Sequence, residues 1–210
     1  MQKNALTKGV LIAIEGIDGV GKSTQARRLF HALADSGYEC LLLSEPTGGT
    51  FGKKIREMAK AGKRADSPEE EYRLFLLDRK ENVEKNIGPA LSIKKVVILD
   101  RYYFSTMAYQ GALGLDPKRI REENEAFAPA PDLVFLLLLS VEEGLRRIHV
   151  SREKYTAFEA KTYLERVKSI FERDVAPLPF VRSIDGGLSE GEVFEAIKKT
   201  ALELLRRLTQ

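Results

Sequence analysis

The stretch "GIDGVGKST", Gly16 to Thr24, decides the architecture of this 210-residue chain. It fits the pattern G-x-x-x-x-G-K-[ST], in which a glycine-rich turn curls backbone N–H groups around an anion and a new helix adds its positive dipole end. Upstream lies the apolar run "VLIAIE" (Val10 to Glu15), and downstream a helical pattern from Lys22 to Asp35. A strand, a loop and a helix in that order are the context the pattern requires. The expected phosphate cradle is therefore Gly16, Ile17, Asp18, Gly19, Val20, Gly21, Lys22, Ser23 and Thr24. Lys22 is suited to neutralise β and γ oxygens of a nucleoside triphosphate, and the Ser23 hydroxyl to ligate Mg²⁺.

Outward from the loop the same grammar repeats. "ECLLLSE" (Glu39 to Glu45), "KVVILD" (Lys95 to Asp100), "DLVFLLLLS" (Asp132 to Ser140) and a segment near Phe180 to Ile184 read as further strands. The first three of these, like "VLIAIE", are almost uninterrupted apolar runs and are expected to be buried on both faces. Helical patterns separate them: Gly52 to Ala61, Pro68 to Ile87, Phe104 to Gly111, Val141 to His149, Phe158 to Val175 and Glu190 to Leu208, the last with Ser189 as N-cap. Alternation of this kind predicts an α/β fold, a three-layer arrangement in which a parallel five-stranded sheet carries helices on both faces. We expect one domain over residues 1–210. Ligands in such sheets bind outside the carboxyl ends of the strands, where "GIDGVGKST", "EPTGGT" and "DRYYFS" fall.

Composition narrows the function. Hydrophobic residues make up 43% and charged residues 31%, ordinary for a globular chain. No apolar stretch approaches the length of a membrane span, and "MQKNALTKG" lacks the apolar segment of a signal peptide, so a cytoplasmic location is expected. The 34 basic and 31 acidic residues are spread along the chain, which argues against a nucleic-acid partner. A single cysteine, Cys40, precludes an internal disulfide and is expected as a buried strand thiol. The basic residues near the C-terminus are expected on a solvated helix face. His31 and His149 have no second metal-ligand candidate beside them.

No N-K-x-D of a GTPase is present, and the length favours a small-molecule kinase. Asp100-Arg101 ends the third strand. Its carboxylate can hold a Mg²⁺ water shell, and its guanidinium can clamp a phosphate bidentately.

With these residues in view the chain resembles the thymidylate kinase family. The resemblance runs through "IAIEGIDGVGKSTQARRL", "SEPTGGTFGKKIRE", "LFLLDRKENVEKNIGPAL", "VVILDRYYFSTMAYQG" and "PDLVFLLLLS", in order and at matching spacing. It implies ATP and Mg²⁺ on the phosphate loop, with dTMP as the acceptor beside them. Asp18 would touch the acceptor or its metal, and Arg101 would grip the acceptor phosphate. Phe75 would stack on thymine and Arg79 bond its carbonyl; their spacing of four puts both on one helix face. Ser105, Thr106, Tyr109 and Gln110 would border base and sugar, with Tyr109 crowding the position of a ribose 2′-hydroxyl. Glu45 and Arg56 would lie near the acceptor phosphate and metal. Here the sequence departs from the "REPGG" of many bacterial members, reading "SEPTGG".

A second departure concerns catalysis. Some members carry an arginine directly after the acidic loop residue, where this chain has Gly19. The resemblance then implies a lid, about 146–157, that supplies the charge, with Arg146, Arg147, Arg152 and Lys154 as candidates and Arg152 as the expected catalytic one. It also implies a homodimer. Two alternatives stand beside a dTMP kinase: a kinase of another nucleoside monophosphate or a nucleoside, and a nucleotide-binding regulatory protein with weak catalysis.

Overall fold

The computed structural model describes residues 4–148 and 157–209. The first strand, β1 (Val10–Gly16), is buried along its whole length and leads through the glycine loop into α1 (Lys22–Asp35). There follow β2 (Cys40–Ser44), α2 (Thr50–Lys60) and α3 (Pro68–Asn82). One π-helical turn, Val83–Ile87, joins α3 to the short α4 (Gly88–Ser92). After β3 (Val96–Asp100) come α5 (Tyr103–Gly111) and α6 (Pro117–Glu125). The chain then forms β4 (Leu133–Leu138) and α7 (Val141–Arg147). The last elements are α8 (Ala157–Ile170) with a π turn at Phe171–Val175, β5 (Val181–Asp185) and α9 (Glu190–Leu208).

The strands form one parallel five-stranded sheet in the order β2-β3-β1-β4-β5. The expected α/β class and parallel sheet are both present. Burial is uneven across it. The central strands β1, β3 and β4 are buried almost throughout, whereas β2 and β5 are only partly covered. The expectation that all the apolar strands are buried on both faces is corrected for β2, because an edge strand has a neighbour on one side only. Cys40, which opens β2, is accordingly half-buried rather than fully buried. Burial still pushes its thiol up to about 12.

Two helical patterns extend differently from the sequence reading. The 68–87 segment is α-helix to Asn82 and then a π turn that continues into α4, and the 158–175 segment likewise ends in a π turn. Helix α6 is absent from the sequence reading: "PKRIREENE" offers one apolar residue, Ile120, to a 3.6-residue period. Asp116 caps it and Pro117 opens it, a start signal that polar composition masks. Ser189 caps α9 as expected, within a reciprocal capping box with Glu192. Arg206 and Arg207 are exposed on α9, as expected for a solvated face. Among the described residues no helix is long and apolar enough to cross a membrane.

β1 and β3 are neighbours, with Ile14 opposite Asp100, so the glycine loop and the Asp100-Arg101 turn emerge side by side. That register brings two motifs 80 residues apart in sequence to one strand-end crevice.

Candidate active site

The loop's apolar members, Ile17 and Val20, turn into the core at 3% and 4% exposure, which pins the loop; Asp18 and Thr24 are half-exposed, Ser23 is exposed, and Lys22 is buried. The N-cap of α1 is Gly21 at φ 99°, a left-handed conformation open to glycine at little cost. Helices α3, α6, α7 and α9 begin with Ser67, Asp116, Ser140 or Ser189 accepting a first-turn N–H. α1 has no such cap and no acid in its first turn. Its unsatisfied N–H groups and dipole are therefore available to an external anion.

Around this anion cradle lies a cleft of about 800 Å³ lined by Asp18, Gly19, Gly21, Lys22, Ser23 and Thr24 of the loop and by Glu45, Arg56, Asp100 and Arg101 opposite. Lys22 Nζ donates to Ile17 O at 2.7 Å and stands 4.0 Å from Asp18. Burial, with the Arg101 charge next in weight, lowers the Lys22 ammonium to about 7. Ser23 Oγ donates to Asp100 Oδ2. A hydroxyl and a carboxylate touching beside a phosphate cradle are hard oxygen donors of the kind Mg²⁺ takes together with substrate phosphates, so the residues fit that ion. Among the described residues no group of three or more His, Cys, Asp or Glu is placed to hold a metal by itself.

Arg101 sits at φ 74°, a left-handed conformation uncommon outside glycine. Its guanidinium pairs with Asp18, donates to Ser105 Oγ at 3.0 Å and lies 5.1 Å from the Tyr109 ring. Partial burial alone would raise the Asp18 carboxyl, but Arg101 and Lys22 outweigh it and hold it below the usual range.

Beneath Arg101 lies Glu15, fully buried at the end of β1 and missed by the sequence reading. It accepts from the backbone N–H of Tyr102 at 2.7 Å and of Ser105 at 3.3 Å, and from Ser105 Oγ at 2.5 Å. Tyr102 is the N-cap of α5 and has no capping side chain, so a carboxylate from another strand caps the helix that carries Ser105, Thr106, Tyr109 and Gln110. Burial pushes Glu15 up to about 7, against the opposing pull of Ser105 and Arg101. An acidic residue inside "VLIAIEG", otherwise wholly apolar before the glycine, was the available signal.

A second cavity of about 630 Å³ adjoins the first, and Asp18, Glu45, Pro46, Arg56 and Arg101 line both. Phe75, Arg79, Ser105, Thr106, Tyr109 and Gln110 all line this second one, so the structure brings together the residues expected around an acceptor base. Glu45, which lines both cavities, turns its carboxylate into a buried network. It is 5% exposed; Oε2 receives Arg79 Nε at 2.8 Å and Oε1 receives Asn82 Nδ2 at 3.0 Å. Arg56, by contrast, is exposed and donates to the carbonyls of Pro46 and Thr47.

The lid candidates divide. Arg146 and Arg147 both pair with Glu143, and Arg147 NH1 also reaches Gly186 O at 3.1 Å. Arg152, Lys154 and most of the expected lid lie outside the described residues, as does His149. His31 is exposed on α1 beside Phe30.

Sequence comparison agrees with this geometry. A family model described as thymidylate kinase matches residues 14–197. The chain is 44% identical to a thymidylate kinase of Desulfotalea psychrophila over 94% of its own length and 96% of the relative's. It is 43% identical to a probable thymidylate kinase of Archaeoglobus fulgidus over 90% of this chain and 93% of that one. A thymidylate kinase of Akkermansia muciniphila is 44% identical, with 91% of each chain covered.

Proposed function

The chain belongs to the thymidylate kinase family, and from that premise we propose that it transfers the γ-phosphate of ATP to dTMP, giving ADP and dTDP. One observation carries the proposal: two cavities, one beneath an uncapped helix N-terminus and one lined by Phe75 and Arg79, meet at Asp18 and Arg101. A phosphate held in each would face the other across that junction.

ATP occupies the first cavity, its phosphates on the loop N–H groups and Lys22, and dTMP the second, between Phe75 and Tyr109 with Arg79 and Thr106 at the base edge. Phosphoryl transfer asks little covalent chemistry of a protein, so positioning and positive charge are its tools. Lys22 and Arg101 reduce the repulsion between donor and acceptor. Ser23 and Asp100 would hold Mg²⁺, which would supply positive charge to the ATP phosphates. Asp18 holds Arg101 in place over the junction, and Glu15 fixes α5 beneath it. The acceptor oxygen is already ionised at neutral pH, so transfer proceeds in line without a strong general base or a covalent intermediate. Arg152 in a lid at about 146–157 supplies the remaining charge in this reading, on the strength of the family resemblance and of Gly19 in the loop. The same resemblance supports a single kinase domain, a homodimer and a cytoplasmic location.

The test is ADP release with Mg²⁺-ATP against dTMP, dUMP, UMP, dCMP, CMP, AMP and dGMP. dTMP is expected to give the highest kcat/KM. Preference for another monophosphate would keep the kinase and overturn the pocket assignment. ATP binding without turnover on any acceptor would favour a regulatory protein.

A further inference from the structure

Arg79 is 1% exposed and yet borders the second cavity, so only one edge of its guanidinium meets a ligand. A guanidinium has five N–H groups and no acceptor. Nε donates to Glu45 Oε2, and NH2 pairs with the same oxygen at 2.7 Å and donates to Thr106 Oγ1 at 3.1 Å. Glu45 thus grips the Nε and NH2 side alone. The NH1 corner is fixed by a different residue, Asn124, whose Oδ1 accepts from it at 2.7 Å.

Asn124 is fully buried on α6 and does not line the cavity. Its amide can point only one way. Nδ2 donates to Ile120 O at 2.7 Å, and a backbone carbonyl can only accept, so the oxygen is left for Arg79. The Tyr72 hydroxyl stands 3.5 Å from the same nitrogen while donating to Glu123 at 2.7 Å, which closes off the rotated arrangement. The buried amide therefore has both ends committed, and the guanidinium is held at three corners by three elements.

We propose that Asn124 is a positioning residue for acceptor selection: by fixing the NH1 corner of Arg79 it presents a donor-only edge to the base, favouring a pyrimidine with a carbonyl at position 4 over one with an amino group. The inference rests on the base-facing role of Arg79 in the proposed function. A 4-carbonyl accepts from that edge. A 4-amino group meets N–H against N–H, leaving buried donors unpaired on both sides, the kind of mismatch by which polar sites discriminate strongly. The discrimination requires that the guanidinium cannot swing away from the mismatch, which is what Asn124 provides.

The test compares wild type, Asn124→Leu and Asn124→Asp with dTMP and dCMP as acceptors and ATP as donor. Leucine has similar volume and no acceptor. KM for dTMP is expected to rise by about tenfold and the dTMP:dCMP ratio of kcat/KM to fall by about tenfold, the size of one hydrogen bond to a charged group, with KM for ATP unchanged. Aspartate keeps an acceptor oxygen within reach of Arg79 NH1, where Asn124 Oδ1 stands at 2.7 Å, and is expected to restore the ratio. An unchanged ratio in Asn124→Leu, a parallel rise in both KM values, or failure of Asn124→Asp to restore the ratio overturns the inference. Should the leucine variant not fold, Asn124→Ser, too short to reach NH1, takes its place under the same readings. A wild type without preference for dTMP overturns the proposed function and this inference with it; a wild type with the preference and a leucine variant that keeps it overturns this inference alone.

Discussion

The two cavities are built by opposite means. The phosphate cradle is contiguous backbone, a loop between β1 and α1 whose side chains mostly serve to pin it. The acceptor pocket is a set of side chains from the β2–α2 connection, α2, α3, α5 and α8, with Glu45, Arg79 and Thr106 joined to one another and to Asn124 of α6 behind the lining. Backbone sites tolerate changes that keep the turn, whereas a buried polar network stands or falls as a unit. The contrast teaches where each site is vulnerable: the first to a Cβ atom in the wrong place, the second to the loss of one charge.

The largest expected effect lies in the network. Glu45→Ala leaves the Arg79 charge buried at 1% exposure without its carboxylate. Removing one partner of a buried pair costs about 3–5 kcal/mol, which for a domain of this size corresponds to a Tm lower by roughly 6–20 °C. A thermal melt reads it directly, and a shift of no more than about 2 °C would mean that Asn124 and Thr106 carry the guanidinium alone.

A smaller effect is expected at the loop. Gly19 has φ 82°, and a Cβ built there would stand 2.3 Å from Gly144 O on α7; from the other side, a Cβ at Gly144 would stand 2.9 Å from Asp18 O. The loop and α7 meet glycine to glycine. Gly19→Ala is expected to cost about 1–3 kcal/mol in backbone strain and to lower kcat by displacing Asp18 and Lys22. Gly19→Arg, which recreates the loop arginine of other family members, is expected to lower kcat as well. A rise in kcat for the arginine variant would show that the loop can move off α7 and would weaken the claim that the cradle is vulnerable to a misplaced Cβ atom.

How much of this was legible in the sequence follows the same division. The sheet and the cradle were, because apolar runs and a contiguous glycine pattern are local signals. Phe75 and Arg79 were legible once the resemblance was in view, since four residues on α3 bring them together. Glu15 and Asn124 were not, because their partners are distant in sequence: Glu15 caps α5 from β1, and Asn124 reaches Arg79 from a helix too polar to announce itself. A carboxylate in an apolar strand and an asparagine four residues after a lone isoleucine become meaningful only when topology supplies the neighbour. Glu45 was recognised as important, but its direction was not legible, since inward and outward postures share one sequence.

The subtlest prediction concerns a proton. In the free protein, burial and the Arg101 charge put Lys22 at about 7, well below the 10.5 of an ordinary lysine. The depressed group is a base, so it is charged below pH 7 and progressively neutral above it. Triphosphate binding favours the ammonium form, because an opposite charge nearby raises a lysine pKa. At pH 8, therefore, ATP binding must take up a proton that at pH 6 is already present, and apparent ATP affinity should weaken as pH rises above 7. Calorimetry in two buffers of different ionisation enthalpy reads this as a fraction of a proton bound per ATP at pH 8, falling toward zero at pH 6, and Lys22→Arg, which stays charged throughout, should abolish the difference. No uptake at pH 8 in the wild type would mean that Lys22 stays charged in the free protein, held so by Asp18 and Asp100, and that the cradle is fully charged before its ligand arrives while the acceptor pocket keeps its own charges paired.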